Sequence, residues 1–210
     1  VTATGTVETE DTSGVAGPDR GRVPREVFLR PTPATAAGAR VRAFAEAVGA
    51  GRAAEDPLDF AHRLNAAIAR AYGAASTAGA DAFATPEETL DGAEASSADL
   101  AHLFVAAARA AEVPARVAAG YRYDADRATG EDGYRAWAEA FVGALGWVGF
   151  DPATGLSVTD AYVRVAVAPD VHGAAPVRHA AGGTTTERVD MSVRVAPPRP
   201  GGAGRLAPSP

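Results

Sequence analysis

The 210-residue chain contains no cysteine. That absence excludes disulfides, thiolate metal sites and thiol nucleophiles together, and leaves the redox compartment unread. Lysine is also absent: all 20 basic residues are arginine. No side chain can therefore form a Schiff base or accept an acyl group as an amine. No apolar run approaches the about 20 residues that a bilayer-spanning helix needs. No signal peptide is visible, so a cytoplasmic protein without a membrane partner is expected. The formal net charge is −6 and no basic run exists, which argues against nucleic acid as a partner. His62, His172 and His179 are scattered without metal-ligand spacing. No metal and no cofactor is expected.

What is present has a clear order. Val1 to Glu10 reads as a strand and Asp11 to Arg25 as a Gly/Pro/Asp-rich loop. Val27 to Pro31 is a short apolar stretch stopped by proline, and Ala36 to Val48 a helix that ends near Gly49. Asp56-Pro57-Leu58-Asp59 opens the next helix with an N-cap and a first-turn proline. Leu58, Ala61, Leu64, Ile68 and Tyr72 share one face of it. Thr85-Pro86-Glu87-Glu88 repeats the start signal for a short helix, with a reciprocal capping box. Ser96-Ser97-Ala98-Asp99 is a third start. The stripe Leu100, Leu103, Phe104, Ala107, Ala111 follows it, and Pro114 ends that helix. Its other face is largely Ala and Val, so it is expected to be central and buried.

Beyond it the period changes to two. Strands are expected over 116–123, 134–142, 146–151 and 162–167, with a polar loop over 124–133 and a last strand over 186–195. Helices precede strands, which predicts an α+β fold with an antiparallel sheet packed on the central helix.

Three segments resemble bacterial transglutaminase-like domains of the papain-type superfold. Ser97-Ala98-Asp99-Leu100-Ala101-His102-Leu103 is similar to the family's Cys-Gln-Asp-Phe-Ala-His-Leu. Tyr134-Arg135-Ala136-Trp137-Ala138-Glu139-Ala140-Phe141 resembles Ser-His-Ala-Trp-Val-Glu-Val-Trp. Gly146-Trp147-Val148-Gly149-Phe150-Asp151-Pro152 matches the family segment without a change. The resemblance covers about 28–197. It implies that 1–27 is the last strand and linker of a truncated N-terminal β domain and that 198–210 is a Pro/Gly-rich tail.

The family's chemistry is acyl transfer by a Cys-His-Asp triad. A helix N-terminus favours thiolate, the histidine moves the proton, and the aspartate orients the histidine. The resemblance places these roles at Ser97, Arg135 and Asp151, and only the third residue type is retained. Further changes at Ala98 and Tyr134 point to natural divergence. A serine needs a neighbouring base, and arginine, which stays protonated in proteins, cannot supply one. His102, five residues along the helix, lies off the face of Ser97 and reads as a hydrogen-bonded core histidine. Conventional transglutaminase or cysteine-protease activity is not expected.

Arg135 and Asp151 lie equally far from Gly143, so in a hairpin centred there they stand nearly opposite. An Arg135–Asp151 ion pair is expected, with Ser97 facing Arg135. Arg135, Trp137, Glu139 and Trp147 are the candidate binding residues of a cleft. Two readings remain open. In one the chain is a pseudoenzyme acting as a binding or scaffolding module, with a protein, a peptide or a small anionic ligand in the cleft. In the other it is a repurposed enzyme. There Arg135 clamps an anionic substrate, and Asp151 or Glu139 moves protons.

Overall fold

The computed structural model describes residues 4–18, 23–53, 56–72, 83–92, 94–123, 134–175 and 195. Capping chemistry sets the helix starts. The helix α1 (Ala39–Val48) closes on Gly49, whose φ of 110° suits a left-handed C-terminal residue. In α2 (Pro57–Tyr72) the Asp56 carboxylate accepts the Asp59 amide at 2.9 Å. The short α3 (Pro86–Asp91) and the long α4 (Ser97–Ala110) both carry the full capping box, centred on Thr85 and Ser96.

Of the 14 residues in α4, 13 are buried. An α-helix can be submerged in this way because its backbone polar groups are satisfied internally and its side chains here are mostly Ala, Leu, Val and Phe. The helix ends in a Schellman turn. The Val113 amide reaches the Ala108 carbonyl at 2.9 Å, and Glu112 takes the left-handed position, φ 60°.

The sheet contains β1 (Val15–Gly17), β2 (Ala115–Arg122), β3 (Tyr134–Val142), β4 (Gly146–Asp151), β5 (Leu156–Ser157) and β6 (Tyr162–Ala168). Its order is β1-β4-β3-β2-β6, with β5 also on β4, and every pairing is antiparallel. Strand alternation divides it into two faces. Ala115, Val117, Ala119, Ala136, Ala138, Ala140, Val148 and Phe150 join α4 in the main core. Phe104 of α4 stacks on Phe150, ring centroids 5.5 Å apart. The outer face carries Arg116, Arg135, Trp137, Glu139, Trp147 and Asp151. A 3₁₀ turn at Arg25–Leu29 covers part of it through Phe28, edge-on to Trp147 at 5.2 Å. A last turn of helix, α5 (Val171–Ala174), packs against β2 and β6.

Two expectations change. The strand expected over Val1–Glu10 is not formed by its described part, residues 4–10. The N-terminal strand is instead β1, inside the stretch expected to be loop. Ser13 and Gly14 turn the chain with positive φ, and the Gly14 carbonyl accepts the Gly149 amide at 2.8 Å. The hairpin register also moves by two. The β3–β4 turn is a 3₁₀ turn over Gly143–Leu145 rather than one centred on Gly143. Phe141 pairs with Trp147 and Ala138 with Phe150, which sets Asp151 level with Trp137, two residues from Arg135. A shift of two keeps both side chains on one face. The strand expected over 186–195 and the tail over 198–210 lie outside the described residues, apart from Val195, which is in no strand.

Candidate functional site

Ser97 occupies the first position of α4, as its place after the Ser96 cap dictates. Its Oγ accepts the Ala136 amide of β3 at 3.3 Å. The hydroxyl therefore meets the β3 backbone one residue past Arg135. The described contact is with this amide, not with the guanidinium, whose side chain alternation turns to the outer face.

There Arg135 grips Asp151. Nε donates to Oδ2 at 2.9 Å and Nη2 to Oδ1 at 3.0 Å. This parallel fork is the favoured geometry of an arginine–carboxylate pair. The same carboxylate accepts the Tyr162 hydroxyl at 2.6 Å and the Ala153 amide at 3.0 Å. Asp151 is fully buried and Arg135 is 9% exposed. Burial, with the adjacent Asp151 charge, raises the Tyr162 phenol above its ordinary range, so Tyr162 stays a donor. Asp151 is thus held by an arginine and a tyrosine. Ser97 Oγ is bonded to the Ala136 amide, not to an ionisable side chain.

Glu139 forms a second buried pair four residues beyond Arg135 along β3. Its carboxylate accepts Arg116 Nε at 2.8 Å and Arg164 Nη1 at 2.9 Å. The Arg116 guanidinium lies 3.9 Å from the centre of the Trp147 ring, a cation–π stack in a desolvated place. Trp137 meets the Tyr162 ring edge-on at 5.5 Å. The candidate binding residues Trp137, Glu139 and Trp147 are not on an open surface. All three are at most 2% exposed, because the strand alternation that groups them turns them under Phe28 and Tyr162. A cavity of about 290 Å³ lies at the hairpin end between Arg25, Phe141 and Gly146.

His102 is a core histidine, as expected. It is fully buried, and its Nε2 accepts the Val171 amide at 3.0 Å. Arg109 is a residue that sequence reasoning passed over. It is buried and, among the described residues, bonds no carboxylate. Its guanidinium binds the carbonyls of Arg30, Ala115 and Pro169 and the Thr35 hydroxyl. Burial pushes it down to about 10. No spacing rule signals such a site, because its acceptors are mostly backbone atoms drawn from distant segments. Among the described residues no group of three or more potential ligands could hold a metal, and no helix is long and apolar enough to cross a membrane.

Comparison with known proteins agrees with this architecture. An uncharacterized protein of Mycobacterium leprae (strain TN) is 30% identical over 101 residues, covering 46% of this chain and 36% of that protein. The fold is similar to that of a candidate cysteine protease from Cytophaga hutchinsonii, with a TM-score of 0.51 and 18% identity over 80% of this chain and 55% of that one. The periplasmic domain of TgpA from Pseudomonas aeruginosa aligns with a TM-score of 0.48 and 23% identity, over 62% of this chain and 47% of that one. The chain thus spans about a third of the M. leprae relative and about half of each solved chain. Residues 42–152, more than half of the chain, match the profile of the transglutaminase-like superfamily. The chain belongs to the transglutaminase-like superfamily, as a member without a cysteine.

Proposed function

We propose that this protein is a transglutaminase-like pseudoenzyme, in which the fold has been kept as a binding or scaffolding module after the loss of its chemistry. The observation that carries this reading is the state of Asp151. Its carboxylate is committed to Arg135, Tyr162 and Ala153. Ser97 is left with a backbone amide for a partner. A hydroxyl at a helix N-terminus is not ionised near neutral pH without a base, and general-base assistance contributes about 10²–10⁴-fold to such reactions. A protein, peptide or small anion remains the ligand class for the module.

The repurposed-enzyme reading has less support, because the fork that would hold an anionic substrate is spent on Asp151. Crystals soaked with succinate and with phosphate separate the two. The pseudoenzyme reading expects the Arg135–Asp151 pair to stay closed. An anion seated on Arg135 with Asp151 displaced would transfer the assignment to the second reading.

A further inference from the structure

His102 takes no part in the Arg135–Asp151 site, yet it is placed to control a neighbouring element. Because Nε2 accepts the Val171 amide, the ring is the neutral tautomer with its proton on Nδ1. Nδ1 is buried with no hydrogen-bond partner. Val171 opens α5, a single turn that Asp170 also closes: its Oδ1 accepts the Gly173 amide at 2.9 Å, and its carbonyl accepts the Ala174 amide at 3.1 Å. Val171 and Ala174 form the buried side of the turn.

We propose that His102 and α5 form an acid-released latch: the neutral ring holds α5 through the Val171 amide, and protonation releases α5 while the sheet stays folded. An imidazolium carries a proton on both nitrogens, so the Val171 donor would face another donor. The charge would also be buried with no acceptor at Nδ1.

The surrounding charges do not rescue it. On its own helix, Asp99 accepts the Ala84 amide with Oδ1 and the Ser96 amide and hydroxyl with Oδ2. Arg109, also on α4, adds like charge. From the α5 side, Asp170 attracts a proton to the ring, but its Oδ1 is engaged by Gly173, and His172 opposes the charge. Phe83 stands edge-on to both rings, at 6.1 Å from His102 and 5.5 Å from His172. Burial is the largest cause and, against the two carboxylates, pushes His102 down to about 4.

With α5 lifted, water reaches the ring, and its pKa returns toward about 6.5. The closed state binds the proton less well, so it is favoured in full above the open-state value. That advantage shrinks as pH falls from about 6.5 to about 4, a change of roughly a hundredfold in the open-to-closed ratio.

Site-resolved amide exchange on the whole protein tests this. Between pH 7 and pH 4.5, after correction for intrinsic rates, protection at Val171 and Gly173 should fall by at least about tenfold relative to Ala138 in β3. His102→Gln, whose amide oxygen can accept the Val171 amide without titrating, should lose that relative fall. In the unmodified protein the His102 imidazole and the Val171 amide resonances should titrate together, a readout that stands even if the variant does not fold. Equal loss at Ala138, no relative fall, the same fall in His102→Gln, or titration of His102 near pH 6.5 with Val171 unchanged would each overturn the proposal.

Discussion

The guanidinium of Arg135 binds both carboxylate oxygens of Asp151 from the adjacent antiparallel strand, with the Tyr162 hydroxyl on Oδ2 as a further donor. The pair holds β3 to β4 and, through Tyr162, to the start of β6.

Removing one partner leaves the other charged and buried. Arg135→Met should destabilise the protein by about 3–5 kcal/mol, the usual cost of stranding a buried carboxylate. Arg135→Met with Asp151→Asn should recover a large part of that loss, since replacing both charges by neutral groups removes the uncompensated charge. Urea denaturation of the two single variants and the double variant gives the coupling. Additive losses would mean that the pair does not act as a unit.

Ser97 should be inert. A fluorophosphonate probe is expected to leave the protein unlabelled, and neither transamidation nor amide hydrolysis should rise above the level of Ser97→Ala. Stable labelling that disappears in Ser97→Ala would show that a base reaches the hydroxyl.

Glu112 sits at the left-handed end of α4, where a β-carbon is unfavourable. Glu112→Gly should stabilise the protein by about 0.5–1 kcal/mol, despite the entropy that glycine brings to the unfolded chain. A lower midpoint in thermal or chemical denaturation would contradict this assignment of the helix end.

Arg109 is the clearest case of a side chain whose role comes from tertiary structure. Lysine cannot reproduce a planar fork that meets three carbonyls and a hydroxyl. Arg109→Lys should cost about 2 kcal/mol or more, on the scale of hydrogen bonds to a charged group. An unchanged denaturation midpoint would mean that the surrounding carbonyls find other donors.

The parts legible from sequence were those with short-range chemistry. The capping boxes at Thr85 and Ser96 are read from a spacing of three residues, and the structure forms both. The pairing of Arg135 with Asp151 was legible because two-residue alternation fixes a shared face. It survived a register shift of two because such a shift preserves that face. The burial of Glu139, Trp137 and Trp147 was not legible. Alternation says that they share a face but not that Phe28 and Tyr162 cover it. β1 was hidden because three residues carry no period, and its place depends on the Gly14 turn and the bond to Gly149.

Ser97 stands at the N-terminus of α4 with the Ala136 amide on its Oγ, the setting in which an anionic nucleophile would be stabilised. Because the chain has no cysteine, Ser97→Cys introduces a single thiol, and its ionisation can be followed by thiolate absorbance without background. The N-terminus of α4 and the Ala136 amide should stabilise the thiolate, giving a pKa clearly below the free-cysteine value of about 8.5. A thiol that titrates at or above the free-cysteine value would contradict the claim that the Ser97 position keeps the setting of a nucleophile.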